Sequence, residues 1–200
     1  MFRLAAALAV AALLPALPAH ASLIEGKNRH DGFFLRFHLG AGQFDADWKD
    51  GLADSMTVAG RSGHLGVALG GAILPNLILF GEVTSEAISR PTAHFMGFEE
   101  ELGSALGLVG FGPGIAYYIM PVNLYLSASA LAIRATVTGD EGRFETAKGR
   151  GVKFALGKEW WVSRNWGLGV AGITTLASVP HFDSTVKTSN FLLAFTASYN

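Results

Sequence analysis

NFLLAFTASYN, residues 190–200, sets Phe191, Leu193, Phe195, Ala197 and Tyr199 on one side of an extended chain and Asn190, Ala194, Thr196 and Ser198 on the other. Period-two alternation of this length is the signature of a β-strand whose two faces meet different environments. Such a strand presents unpaired backbone groups on both edges, so the rest of the chain must supply a sheet for it to join.

Seven earlier segments carry the same pattern. GFFLRFHLGAG (32–42) separates Phe33, Leu35, Phe37 and Leu39 from Arg36, His38 and Gly40. HLGVALGGA (64–72) sets Leu65, Val67 and Leu69 against His64, Gly66 and Ala68, and NLILFGEVTSE (76–86) sets Leu77, Leu79 and Val83 against Glu82, Thr84 and Glu86. In LGLVGFGPGIAYYI (106–119), Val109, Phe111, Ile115 and Tyr117 alternate with glycines and Ala116. Pro113 lacks a donor and marks an irregularity in mid-strand. Residues 122–136 conflict in phase, because Leu124 and Leu126 share a parity with Arg134 whereas Leu131 and Ile133 do not; a bulge is one explanation. GVKFALGKEWW (151–161) and WGLGVAGIT (166–174) complete the set, with Lys153 and Glu159 opposite Val152, Phe154 and Trp160.

The connections alternate in length. Long polar stretches, at about 43–60, 89–100, 138–149 and 178–189, take turns with short ones at 74–76, 120–123 and 162–165. Strict alternation is what an up-and-down sheet gives when long loops gather at one end and tight turns at the other. Tyr117, Tyr118, Tyr125, Trp160, Trp161, Trp166 and Tyr199 all fall near the short-turn end, where they are expected to form an aromatic belt at headgroup level. With an apolar outer face and a narrow inner one, the expected fold is all-β: an eight-stranded antiparallel up-and-down transmembrane β-barrel over residues 32–200.

The front of the chain fits an exported protein. Residues 1–21, MFRLAAALAVAALLPALPAHA, combine Arg3, an apolar run and the triplet Ala19-His20-Ala21, the layout of a signal peptide, which leaves 22–31 as a short periplasmic N-terminal segment. There is no cysteine, so neither disulfides nor a lipid-anchored cysteine are available. The formal net charge of −1 and the lack of a basic cluster argue against nucleic acid as a partner. The chain holds 25 glycines and 14 phenylalanines, a composition suited to a greasy wall around a tight interior.

From residue 32 to 200 the chain resembles the small eight-stranded bacterial outer-membrane barrels, the broad OmpA, OmpX and OmpW type group. The resemblance implies residence in the bacterial outer membrane, with outer-membrane lipids, the barrel insertion machinery and extracellular ligands of the long loops as partners. It also implies that Phe191, Phe195 and Tyr199 act as a C-terminal insertion signal, with Asn200 one residue beyond the usual aromatic stop.

The inward candidates are Arg36, His38, His64, Glu82, Glu86, Arg134, Lys153 and Glu159. Charges in so narrow a lumen have to pair or stay hydrated, so these residues are expected to form a polar network that fills the barrel and leaves no wide pore. The expected role is structural or surface-interacting, without cofactor or metal. Two alternatives stand beside it. A lipid A deacylase or acyltransferase would need a histidine working on a serine, for which His38, His64, His94, His181, Ser62, Ser129 and Ser184 are available, with Asp183 between the last histidine and serine. An exported carrier of a small hydrophobic ligand would need its apolar face inside.

Cleavage is expected after Ala21, because small residues occupy the positions before that bond. Intact-mass measurement of protein purified from envelopes checks this: the N-terminus should be Ser22, and a retained residue 1–21 would refute it.

Overall fold

The computed structural model describes residues 30–49, 55–95, 97–120, 122–139, 142–145, 148–181 and 184–200. The expected signal peptide and residues 22–29 lie outside the described residues. In chain order the strands are β1 (Phe33–Lys49), β2 (Ser55–Leu74), β3 (Leu77–Ser89), β4 (Thr92–Phe95), β5 (Phe98–Glu101), β6 (Ala105–Ile119), β7 (Leu124–Gly139), β8 (Gly142–Glu145), β9 (Gly149–Trp161), β10 (Trp166–His181) and β11 (Ser184–Tyr199). Eight long strands make the wall, and β4, β5 and β8 are short additions at the long-loop end.

The sheet closes on itself. β1 pairs antiparallel with β2 on one edge and with β11 on the other, the latter from Leu35 opposite Tyr199 to Lys49 opposite Thr185. Residues 190–199 thus belong to the strand that removes both free edges. Its alternation is preserved in space: Phe195 is 75% exposed on the outer wall, whereas Thr196 is 3% exposed and points inward. β3 repeats this strictly, with Phe80, Glu82, Thr84, Glu86 and Ile88 buried and the residues between them exposed.

Two expectations about local structure change. The long connections are largely strand: β1 runs to Lys49 and β2 begins at Ser55, and β10 and β11 approach to His181 and Ser184. β7 contains no bulge against either neighbour; its pairing with β9 is continuous from Leu124 to Ile133. Both differences have one cause, an inversion of the wall's polarity part-way up. Toward the short turns the outside is apolar, and the inside sets the charged residues among buried Phe34, Ile78, Phe80, Ile173 and Leu192. Toward the long loops Phe44, Ile88, Leu108, Leu131, Ile133 and Val179 pack into an inner apolar cluster, while Asp47, Arg134, Arg150 and Lys187 are exposed. Alternation continues through both zones, but its apolar phase changes sides.

Irregularities sit where the sequence allows them. The β6–β7 ladder skips Gly112 and Pro113 between Phe111 opposite Ala132 and Gly114 opposite Ser129, and Pro113 keeps only its β3 partner, Gly81. The turns at the other end use Asn76 and Asn123 at φ of 65° and 52°, left-handed positions that asparagine tolerates.

Two inner aromatics lie across a glycine of the adjacent strand. Tyr125 faces Gly157, whose added Cβ would stand 2.5 Å from the ring, and Phe80 covers Gly114 in the same way. Tyr125 cannot swing aside freely, because the Arg36 guanidinium lies 4.0 Å from its ring centroid. Gly157→Ala should therefore destabilise by about 1–3 kcal/mol through overpacking. Gly81→Ala, where a Cβ meets nothing within 4 Å, should change stability little. Urea unfolding midpoints of the two variants test this; equal midpoints would refute it.

Candidate functional site

The polar residues of the lumen form two layers. In the layer nearer the short turns, β1 supplies Arg36, β6 Tyr118, β7 Tyr125, β9 Glu159 and β11 Thr196 and Ser198, all inward by strand parity and all buried. Arg36 donates from Nη2 to the Tyr118 hydroxyl at 2.8 Å, and that hydroxyl donates onward to Glu159 at 3.1 Å. Glu159 also accepts from Ser198 at 2.7 Å and Thr196 at 3.3 Å, and lies 3.8 Å from Arg36 Nε. The guanidinium is flanked by the rings of Tyr125 and of Phe34, the latter 4.8 Å away. A buried guanidinium needs this combination of a counter-charge, a hydrogen-bond acceptor and aromatic faces.

The layer above it is built on a buried ion pair between Lys153 and Glu82. Glu86 lies 3.5 Å from His64 Nδ1 and accepts from the Thr175 hydroxyl at 3.3 Å, while Ser62 donates to Asn190 at 2.9 Å. His38 and His64 are buried with their ring centroids 6.3 Å apart, and neither ring nitrogen of either residue has a hydrogen-bond partner. Above Glu86 the lumen narrows to a gap of about one water molecule between Thr175, Asn190, Leu108 and Leu131. Then the apolar cluster fills it.

Seven of the eight inward candidates, Arg36, His38, His64, Glu82, Glu86, Lys153 and Glu159, occupy these layers. Arg134 does not: its side chain is 53% exposed on the outer wall, 3.7 Å from Glu145. At its height the lumen is apolar, so the inward places on β7 go to Ile133 and Ala135.

The aromatic group at the short-turn end also divides. Tyr117 and Trp166 are exposed on the outer wall, Trp160 and Tyr199 are half-buried there, and Trp166 meets Tyr199 edge-on at 5.4 Å. Tyr118 and Tyr125 are instead wholly buried inside, and Trp161 turns toward His30 at 5.1 Å between ring centroids. Their parity carries the signal: Tyr118 alternates with Tyr117, and Trp161 with Trp160. Phe191, Phe195 and Tyr199 share the outward face of β11.

His30, which precedes the first alternating segment, is fully buried in the short-turn mouth, stacked on Tyr118 at 3.5 Å, with its ring nitrogens 2.6 Å from Asn200 Oδ1 and 2.9 Å from Asn123 Oδ1. Asn200, the residue beyond the expected aromatic stop, thus helps close the mouth; its own N–H donates to the Asn165 carbonyl.

Catalytic geometry is not assembled among the described residues. No hydroxyl bonds to His38 or His64, Ser62 is engaged by Asn190, and His94 pairs at the surface with Glu99 at 3.2 Å. Asp183 and the side chains of His181 and Ser184 lie outside the described residues. No trio of potential metal ligands occurs among the described residues.

Glu159→Gln keeps the shape of the lower layer but strands the Arg36 charge, and should destabilise by about 3–5 kcal/mol. Asp47→Asn removes an exposed charge while keeping an oxygen to accept from the Thr57 hydroxyl, and should leave the midpoint near wild type. Unfolding in detergent micelles followed by tryptophan fluorescence distinguishes the two; matching midpoints would refute the network as a source of stability.

No family model and no curated protein matches the sequence. Among solved structures, Neisserial surface protein A is similar at 16% identity over 84% of this chain and 96% of that one, with a TM-score of 0.56. AlkL, an outer-membrane protein solved in lipid bilayers, is 13% identical over 88% and 92% of the two chains at a TM-score of 0.48, and Ail of Yersinia pestis is 13% identical over 84% and 99% at 0.43. The chain has the fold of the small eight-stranded outer-membrane barrels.

Proposed function

We propose that this chain is an integral protein of the bacterial outer membrane, with the short turns in the periplasm and the long-loop end outside, whose role is structural or surface-interacting. The observation that carries this reading is the pairing of an apolar outer wall with a filled, charge-paired lumen. Phe37, Leu39, Leu65, Phe111, Leu193 and Phe195 would be a liability in water and are at home in hydrocarbon. A lumen blocked by side chains supports anchorage and display in place of bulk diffusion.

Outer-membrane lipids are then the immediate partners, and Phe191, Phe195 and Tyr199 are the residues the insertion machinery would read. Ligands from outside would meet the β4–β5 hairpin first, where Phe98 is 77% exposed beside Glu99, Glu100 and Glu101. Among the described residues no serine hydroxyl bonds to His38 or His64, which supports this role over lipid A hydrolysis or acyl transfer. A carrier of a hydrophobic ligand would need its apolar face around an empty interior, whereas here that face looks outward and the interior is packed.

Phe195→Arg places a cation in hydrocarbon and should cost about 2–4 kcal/mol if the residue sits near the bilayer centre. Thr196→Asn keeps a polar group in the lumen and should be milder. Refolding into bilayers, with the folded fraction read from heat-dependent gel mobility, separates the faces. A Phe195→Arg protein that refolds like wild type would overturn the membrane reading, as would release of the wild type from envelopes by alkaline carbonate.

A further inference from the structure

Carboxylates outnumber cations in the lumen. Among the described residues the buried charged side chains are Arg36 and Lys153 on one side and Glu82, Glu86 and Glu159 on the other. Arg36 lies against Glu159 and Lys153 against Glu82. Glu86 is left with the Thr175 hydroxyl at 3.3 Å and His64 Nδ1 at 3.5 Å, and with no Lys or Arg in ion-pair range among the described residues. A carboxylate buried without a counter-charge is costly, so the charge balance of this layer calls for one more positive charge.

The space for it lies in front of Gly66. His38 of β1 stands opposite Gly66 of β2, and His64 is two residues along β2 on the same inward face. A Cβ built on Gly66 would be 3.1 Å from His38 Nδ1 and 3.2 Å from His64 Nε2, so the two nitrogens converge on one point. Both residues are almost wholly buried, at 2% and 3% exposure, and neither nitrogen has a hydrogen-bond partner. Glu86 stands directly opposite His64 in register and faces its other nitrogen, Nδ1. A carboxylate there favours the tautomer that carries its proton on Nδ1, which leaves the Nε2 lone pair for the shared point. A ligating histidine with its outer carboxylate has this arrangement.

The separation of the rings selects the coordination. With metal–nitrogen bonds of about 2 Å, two imidazoles in line across an ion have centroids about 6.2 Å apart, and two at a tetrahedral angle about 5 Å apart. The observed separation is 6.3 Å. Among the described residues no third His, Cys, Asp or Glu completes a ligand set, so the four-ligand geometry that zinc prefers is not supplied. Two nitrogens in line and a single positive charge suit a monovalent d10 cation, and imidazole is a good ligand for copper. We infer that His38 and His64 bind one Cu(I) ion in front of Gly66, with Glu86 orienting His64 and balancing the charge. Below the pair the Arg36–Tyr118–Glu159 layer and the stacked His30 close the barrel, and above it the apolar cluster fills the lumen, so the ion is enclosed as the barrel forms. The site depends on the lumen alone and not on which end of the barrel faces outward.

The test refolds the full mature chain in detergent micelles with Cu(I), kept reduced by ascorbate in the absence of oxygen, and desalts the product. Elemental analysis should find about one copper per chain, and X-ray absorption should show two nitrogen ligands and no sulfur. Affinity is read with a chromogenic Cu(I) chelator present during refolding. It should fall about 100-fold in His38→Gln and in His64→Gln and about tenfold in Glu86→Gln, while His94→Gln, at the surface, should behave like wild type. Zn(II) supplied in the same way should not be retained. Wild type that retains no copper would overturn the inference and leave a proton or a water between the rings; equal loss in His94→Gln, zinc retained as well as copper, or a third ligand or sulfur in the absorption spectrum would overturn it too. If the histidine variants fold poorly, the wild-type spectrum still decides, and Gly66→Ala, which keeps both rings and sets a methyl beside the ion, should also lose copper. Heat-dependent gel mobility without copper tests the barrel reading separately.

Discussion

A polypeptide in hydrocarbon cannot leave backbone N–H and C=O groups unpaired, and the closure of β1 on β11 answers that requirement here. Everything else follows from the size of the circle that eight strands can make. The interior is too narrow for a column of water and too wide to be closed by backbone alone, so side chains must fill it. Glycine and alanine on the inward face make room for the large ones, and the aromatic rings of Phe80 and Tyr125 lie across glycines of the next strand.

Filling such a space with charge requires that the charges be matched in place. Arg36 is set against Glu159 and Lys153 against Glu82, Glu86 lies beside His64, and hydroxyls from Tyr118, Thr175, Thr196 and Ser198 complete the shells of Glu159 and Glu86. The partners come from different strands, so the Arg36–Glu159, Lys153–Glu82 and Thr175–Glu86 contacts tie together strands that are not neighbours in the wall. His38 and His64 border this network without hydrogen-bond partners of their own, one opposite Gly66 on β1 and the other two residues along β2 from it, and the missing side chain of Gly66 leaves room for both rings.

Strand number, phase and closure were legible in the sequence because alternation and the spacing of connections report the local environment directly. Of the eight inward candidates, parity alone placed seven inside the barrel, where the structure has them buried. It misplaced Arg134 and missed the length of the strands, for the same reason: above the apolar band the environments exchange, so a strand that continues without interruption looks like a loop when only an apolar exterior is expected. QFDADWK at 43–49 is such a case, with Phe44 and Ala46 facing inward. Tyr118, Tyr125 and Trp161 were drawn to the belt by their position along the chain, although parity placed each beside an outward neighbour. His30 had no periodic context, and only the folded mouth gives it partners.

The contact between His30 and Asn200 joins residues 170 positions apart and adds Asn123 from a turn midway between them. No local segment can rehearse it. Until β11 has zipped against both β10 and β1, the Asn200 amide is not in place, and His30 has only Asn123 and the Tyr118 ring. The full set of contacts at this mouth therefore exists only in the completed circle, which makes the His30–Asn200 pair a reporter of closure.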